Sequence, residues 1–178
     1  MFKKILLTSA IIATSSTAFA ITPYLGVGVG ELTNTASLAN SRALTASVFG
    51  GIGDVLNPMF YLGGELLINL GATSISTNNS PGATSVKSSY GYGLSIIPGL
   101  MLSDHTMAYL RAGLVETKFT GPSKTAMGGQ AGLGIQTSLA QSWDLRGEYV
   151  YTAYQSAKPI KGNPRSDQYN LALVYKFD

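Results

Sequence analysis

The chain has 178 residues and a formal net charge of +3; 45% of its residues are hydrophobic, 12% are charged and 21 are glycine. This composition is too apolar for a disordered chain and too poor in strong helix formers for a helical bundle. With no cysteine and one histidine, His105, the sequence excludes disulfides, cysteine nucleophiles, lipid-modified N-terminal cysteines and zinc sites that need several histidines.

The first twenty residues have the organisation of a secretory signal peptide. Lys3 and Lys4 are followed by an apolar stretch over 5–13 and by the cleavage signal Ala18-Phe19-Ala20, with small residues at its first and last positions. The apolar stretch is shorter than the roughly 20 residues that a membrane-spanning helix needs. We predict cleavage after Ala20, which leaves residues 21–178 as one domain. Loss of the two lysines leaves ten bases against nine acids, a net charge of +1, so the basic composition does not indicate a nucleic-acid partner.

Apolar residues alternate with small or polar residues along most of the remaining chain. Leu25, Val27 and Val29, for example, alternate with glycines. A period of two places one kind of residue on each face of a β-strand. We predict eight strands, near residues 22–31, 43–53, 59–71, 86–101, 106–119, 126–138, 142–155 and 166–177.

The predicted connections alternate between short and long. Short turns are expected at 53–58, 103–105 and 139–142. Longer polar segments are expected at 31–42, 72–85, 120–125 and 155–166. Outer-membrane barrels combine short periplasmic turns with longer external loops, and an even number of strands returns both termini to the periplasm. No later stretch contains eighteen consecutive apolar residues, so no transmembrane helix is expected.

Alternation alone does not show which face of the strands points inward. A soluble lipocalin-like barrel would bury the apolar face, whereas a membrane barrel would expose it to lipid. The face opposite the apolar one is rich in glycine, as expected in the narrow interior of an eight-stranded barrel. It also contains two acids and two bases, and buried charges need partners; these residues are Glu65, Arg111, Arg146 and Glu148. We therefore predict an all-β, eight-stranded antiparallel up-and-down transmembrane β-barrel with the apolar face outward.

Aromatic residues collect at the two ends of the predicted strands. Membrane barrels have such belts where the two headgroup layers lie. The expected periplasmic belt contains Tyr24, Phe60, Trp143, Tyr175 and Phe177. The expected opposite belt contains Tyr90, Phe119, Tyr151, Tyr154 and Tyr169.

Several segments resemble the OmpA/OmpX-type and opacity-type outer-membrane barrels. They are Tyr61-Leu62-Gly63-Gly64-Glu65-Leu66, Tyr109-Leu110-Arg111-Ala112-Gly113, Leu145-Arg146-Gly147-Glu148-Tyr149 and the closing Tyr175-Lys176-Phe177. The resemblance implies a salt-bridge network in the lumen, formed by the four charged residues named above. It also implies that periplasmic chaperones and the barrel-assembly machinery act on the chain, with Tyr175 and Phe177 as the assembly signal. Asp178 after Phe177 departs from the usual aromatic ending.

The residue patterns do not favour catalysis. Ser103, Asp104 and His105 are consecutive, and three adjacent turn residues cannot converge as a hydrolase triad does. The glycines at 26, 28 and 30 lack the strand–turn–helix context of a dinucleotide site. Arginines near Glu65 and Glu148 would keep both carboxylates ionised and unsuited to general-acid chemistry. We predict no catalytic residue, metal or cofactor.

Basic residues in the last long segment suggest one contact with lipid. Lys158, Lys161 and Arg165 could bind lipopolysaccharide phosphates, or they could simply keep an external loop soluble. The preferred function is a small structural barrel of the outer membrane. Its segments 31–42, 72–85, 120–125 and 155–166 would contact the surroundings or a host, and outer-membrane lipid and lipopolysaccharide would surround it. The alternatives are a narrow pore, if the lumenal charges exchange partners, and a lipid A-modifying enzyme or a soluble ligand carrier.

Overall fold

The computed structural model describes residues 21–36, 39–79, 87–120, 124–155 and 165–177. These residues form eight β-strands, numbered in chain order: β1 (Thr22–Ala36), β2 (Ala39–Asn57), β3 (Phe60–Asn79), β4 (Lys87–Ser103), β5 (Thr106–Thr120), β6 (Lys124–Ala140), β7 (Trp143–Tyr154) and β8 (Arg165–Lys176). No helix in these ranges is long and apolar enough to cross a bilayer.

The eight strands form one closed antiparallel barrel in which every strand pairs with its neighbours in sequence. β8 pairs with β1 from Tyr24↔Lys176 to Thr35↔Arg165, and this pairing closes the barrel. Closure leaves no free sheet edge, so the backbone polar groups of the strands can be satisfied within the barrel. The sequence prediction of eight up-and-down antiparallel strands is confirmed.

The two ends of the barrel differ. One end, called the turn end below, contains the turns at 58–59, 104–105 and 141–142. It also contains the start of β1 and the end of β8. The opposite end is called the loop end. Because both ends of the strand series lie at the turn end, the fold has the arrangement expected of an even-stranded outer-membrane barrel.

The apolar face of each strand points outward, as predicted. Leu66, Leu133 and Leu171 are each more than half exposed on the exterior, whereas Arg146 is 2% exposed in the lumen. An exterior of this kind exceeds the apolar area that a soluble monomer shows to water, and it matches a lipid-facing surface. Aromatic side chains lie on the exterior at both ends: Phe60, Trp143, Tyr175 and Phe177 at the turn end, and Tyr90, Tyr92, Tyr151 and Tyr169 at the loop end.

Two predicted members of the aromatic belts were placed wrongly, because both point into the lumen. Tyr24 is on the same face as Gly26 and is 5% exposed. Its hydroxyl donates to Glu65 Oε2 at 3.1 Å. The hydroxyl of Tyr154 lies 3.2 Å from that of Thr117. The period of two decides the face of each side chain more strongly than its position near a strand end. The side chain of Phe119 lies outside the described part of the chain.

Strands β1 to β6 are longer than predicted, β7 is shorter, and the predicted loops at the loop end were partly wrong. β1 and β2 occupy 31–36 and 39–42, which were predicted as a loop, and β3 continues to Asn79. The predicted turn at 53–58 is also too long, because β2 continues to Asn57. These extensions are rich in Ser, Thr and Asn, which are typical of loops. Pairing with the neighbouring strand nevertheless satisfies their backbone.

Candidate functional site: a charged network in the lumen

Glu65 on β3 lies at the centre of the lumen and contacts two arginines. Its Oε1 accepts a hydrogen bond from Arg111 Nη2 on β5, and its Oε2 accepts one from Arg146 Nη1 on β7, both at 2.5 Å. The side chains of all three residues are at most 2% exposed. A buried charge is tolerated when it is paired in good geometry, and here one carboxylate pairs with two guanidinium groups.

Glu148 on β7 completes the set of four predicted residues. Its Oε2 accepts hydrogen bonds from Arg111 Nε at 2.9 Å and from the Tyr109 hydroxyl at 2.6 Å. The structure therefore brings Glu65, Arg111, Arg146 and Glu148 into one connected cluster. Each carboxylate accepts a hydrogen bond from at least one guanidinium.

The network continues towards the turn end through residues that the sequence analysis did not select. Arg146 Nε donates to Gln136 Oε1 at 2.8 Å, and Gln136 Nε2 donates to Asp144 Oδ2 at 2.6 Å. Asp144 Oδ1 lies 3.0 Å from Lys176 Nζ and accepts a hydrogen bond from the Ser138 hydroxyl at 2.8 Å. The connected network thus contains three acids and three bases, and its formal charge is zero.

Aromatic rings surround the guanidinium of Arg146. Its Cζ lies 4.7 Å from the ring centroid of Phe49, 5.3 Å from that of Tyr109 and 5.5 Å from that of Tyr24. A guanidinium over aromatic faces is stabilised by the ring quadrupole, more strongly where water is excluded. Ion pairs and rings together fill the middle of the barrel.

Glycines on neighbouring strands make room for these long side chains. A Cβ atom added at Gly26 would lie 2.2 Å from Phe49 Cζ, and one added at Gly134 would lie 2.5 Å from Tyr109 Cζ. Gly132 pairs with Arg111 across β5 and β6. The glycine-rich face of the sequence is therefore explained by packing, because a bulky interior needs small residues beside it.

A cavity of about 250 Å³ lies on the turn-end side of the network. Tyr24, Asp144 and Lys176 line it, together with His105 from the turn between β4 and β5. In this turn the backbone N–H of His105 donates to Ser103 Oγ at 3.4 Å. Ser103, Asp104 and His105 are thus consecutive residues of a strand end and its turn, as the sequence predicts, and their order does not correspond to a catalytic triad.

Arg165, Tyr175 and Phe177, the other predicted residues within the described part of the chain, make no contact with this network. Arg165 begins β8 and is exposed at the loop end. Lys158 and Lys161 lie outside the described residues. At the turn end, the ring centroids of Tyr175 and Phe177 are 5.0 Å apart, and that of Trp143 is 5.0 Å from that of Tyr175.

The alternation of residues could have revealed the missing members of the network. Asp144, Arg146 and Glu148 are two residues apart on one strand, so they share a face. Lys176 lies between Tyr175 and Phe177, which both face outward. The partners across the lumen were not accessible to this reasoning, because Arg146 and Glu65 are 81 residues apart in the chain.

Comparison with solved structures shows the same fold. Neisserial surface protein A is 18% identical, with a TM-score of 0.68, over 87% of this chain and 97% of that chain. Ail, the attachment invasion locus protein of Yersinia pestis, is 12% identical with a TM-score of 0.54, over 88% of this chain and 99% of that chain. A further structure contains Ail in complex with the heparin analogue sucrose octasulfate; it is 14% identical with a TM-score of 0.53, over 88% and 99% of the two chains.

A search of curated proteins found no match. A family model described as the outer membrane protein beta-barrel domain matches residues 5–177. This match covers nearly the whole chain and agrees with the closed eight-stranded barrel, its apolar exterior and its charged lumen. The chain therefore belongs to the family of outer-membrane β-barrel proteins of bacteria.

Proposed function

We propose that this protein is a non-enzymatic structural barrel of the bacterial outer membrane whose loop end contacts the surroundings. The observation that supports it best is the neutral network from Lys176 to Glu148, which occupies the lumen from the turn end to the middle of the barrel. Ion pairs and rings that fill this space leave the barrel closed and stiff, so its interactions would take place at the loop end.

Two experiments test the structural role. On fractionation of cells, the protein should be recovered with the outer membrane. After purification, it should migrate differently on gels with and without boiling, since a closed barrel resists unfolding by detergent. In planar bilayers the wild-type protein should show no conductance. Recovery as a soluble monomer without detergent would contradict the membrane role, and steady conductance would favour a narrow pore. The cavity of about 250 Å³ would then be the entrance to that pore.

We further propose that the loop end binds phosphorylated lipid headgroups through Lys158, Lys161 and Arg165. Arg165 is exposed at the start of β8, and Lys and Arg bind phosphate well. Replacing all three by Ala should weaken binding of the barrel to lipopolysaccharide but not to vesicles of zwitterionic phospholipid. The control variant Arg42→Ala removes an exposed base on β2, which pairs with β1 on the side opposite β8. Arg42 Nε lies 3.7 Å from Glu31 Oε1. Equal losses in both variants would indicate a nonspecific effect of charge.

We also propose how the chain reaches the outer membrane. Residues 1–20 would direct export and be removed after Ala20, and periplasmic chaperones and the barrel-assembly machinery would insert the remaining chain. N-terminal sequencing of the protein purified from outer membranes tests the first step, because it should begin at Ile21. A protein that retains Met1 would contradict it.

A further inference from the structure

Two groups of side chains on the exterior of the barrel, both near the loop end, share one arrangement. In the first group, Tyr92 on β4 lies opposite Glu116 on β5, and the Tyr92 hydroxyl donates a hydrogen bond to the Glu116 carboxylate. Two residues nearer the loop end, Tyr90 lies opposite Lys118, whose Nζ is 5.6 Å from the centroid of the Tyr90 ring. The group therefore places an acid bound by tyrosine next to a base that lies further from the middle of the barrel.

The second group repeats this order on β7 and β8. Tyr151 lies opposite Asp167, and the Tyr149 hydroxyl donates to Asp167 Oδ1 at 2.5 Å. The ring centroid of Tyr149 is 5.1 Å from that of Tyr169. Arg165, two residues nearer the loop end than Asp167, is exposed. Both groups thus contain tyrosines, one carboxylate and one base, in the same order along the barrel axis.

In both groups the carboxylate borders the apolar exterior. Leu114, two residues before Glu116 on β5, is more than half exposed, and so are Tyr169 and Leu171, which follow Asp167 at steps of two residues on β8. Side chains two residues apart point to the same face of a strand. Glu116 and Asp167 therefore lie where the acyl chains of the surrounding lipid end and its headgroups begin.

This order of charges does not suit a phospholipid. The phosphate of a phospholipid follows directly after the acyl chains, so it would meet the carboxylates of Glu116 and Asp167, and like charges repel. An acylated amino sugar places hydroxyl and amide groups at this level, and these groups donate hydrogen bonds that a carboxylate accepts. The rings of the neighbouring tyrosines offer apolar faces to the sugar ring, and the bases beyond them suit phosphates attached to that sugar.

We propose that these two groups bind the phosphorylated amino-sugar headgroup of a glycolipid, and that Glu116 and Asp167 select this headgroup over that of a phospholipid. The inference rests on the proposed function, which places the loop end in the outer leaflet among lipopolysaccharide. It adds selectivity to that function. Bases such as Lys158 and Lys161 attract any phosphate, whereas a carboxylate at the acyl boundary repels the phosphate of a phospholipid.

Native mass spectrometry tests the selection. The purified barrel is released from detergent micelles that contain equal amounts of lipid A, a phosphorylated and acylated amino sugar, and cardiolipin, a phospholipid with two phosphates. The lipids that stay bound are then counted. We expect the wild-type protein to retain lipid A several-fold more than cardiolipin. Equal retention of the two lipids, or a preference for cardiolipin, would overturn the inference.

A variant separates selection by the carboxylates from attraction by the bases. Glu116→Gln together with Asp167→Asn keeps every base and every tyrosine, so we expect retention of cardiolipin to rise to that of lipid A. The control Asp54→Asn together with Asp104→Asn removes two carboxylates at the turn end and should keep the wild-type preference. A preference that persists in the first variant, or that is lost equally in the control, would show that Glu116 and Asp167 do not select the lipid.

The same assay distinguishes this inference from the proposed contact with phosphate. If the variant that lacks Lys158, Lys161 and Arg165 loses lipid A while the variant at Glu116 and Asp167 keeps the preference, the phosphate contact is supported and the selection by carboxylates is overturned. If the wild-type protein retains neither lipid, both are overturned. Migration on unboiled gels checks that each variant is folded, as we expect for substitutions of exterior residues.

Discussion

Replacing Glu65 by Ala should strongly destabilise the barrel, because Glu65 contacts both lumenal arginines. In the wild type, its carboxylate lies 2.5 Å from one nitrogen of Arg111 and 2.5 Å from one nitrogen of Arg146. The variant changes the formal charge of the network from zero to +1 and leaves Arg146 with Gln136 and aromatic rings as neighbours. Removing one partner of a buried ion pair costs about 3–5 kcal/mol, which is about a 140- to 4,000-fold change in the unfolding equilibrium.

The assay is urea unfolding of the barrel refolded into lipid vesicles, followed by the fluorescence of Trp143, the one tryptophan in the chain. Glu31→Ala is the matched control, because Glu31 forms an exposed pair with Arg42 at 3.7 Å. Such pairs contribute at most about 1 kcal/mol, so the control should unfold almost like the wild type.

A double variant separates the lost charge from the lost volume. Adding Arg146→Met to Glu65→Ala removes a guanidinium that lacks its carboxylate, so the double variant should be more stable than the sum of the two single effects predicts. If Glu65→Ala unfolds like Glu31→Ala, or if the two lumenal substitutions are additive, the reasoning about the ion pairs is refuted.

Three further predictions, one of them with a control variant, test other parts of the structure. Leu133→Arg places a charge on the exterior, and we expect about 2–4 kcal/mol of destabilisation in vesicles; an unchanged urea midpoint would contradict a lipid-facing Leu133. Gly26→Ala forces Phe49 to move and should lower the free energy of unfolding by about 1–3 kcal/mol. In the control Gly147→Ala, an added Cβ meets no atom within 4 Å, so this variant should unfold like the wild type. Equal effects of the two substitutions would show that Phe49 does not need glycine beside it. Phe177→Ala should lower the amount of barrel in the outer membrane of cells while leaving unaided folding into vesicles unchanged, and a normal amount in cells would argue against Phe177 as an assembly signal.

Much of the fold could be predicted because two-residue alternation is local. The exterior positions of Leu66, Leu133 and Leu171 follow from it directly, and so does the lumenal position of Arg146. The strand ends could not be predicted in the same way. Polar stretches such as 72–79 are compatible with loops by composition, and only pairing with a neighbouring strand decides that they continue as β-structure.

The four residues at the centre of the charged network were predicted, but their geometry and the extension through Asp144 to Lys176 were not. Glu65 and Arg146 were selected because charges on an interior face need partners. Their mutual contact depends on closure of the barrel, which brings β3 and β7 to face each other across the lumen. Tyr24 shows the opposite case, because its place near a strand end suggested a membrane belt, whereas its hydroxyl binds Glu65 in the lumen.

Spin labels at single cysteines in vesicles measure directly which face of the strands meets the acyl chains, and the chain has no native cysteine to remove. A label at Leu133→Cys should collide often with oxygen, which concentrates in the bilayer, and rarely with a water-soluble nickel complex. A label at Gln130→Cys, on the opposite face of β6, should be shielded from bilayer oxygen. High oxygen contact at position 130 together with low contact at position 133 would contradict the outward orientation of the apolar face.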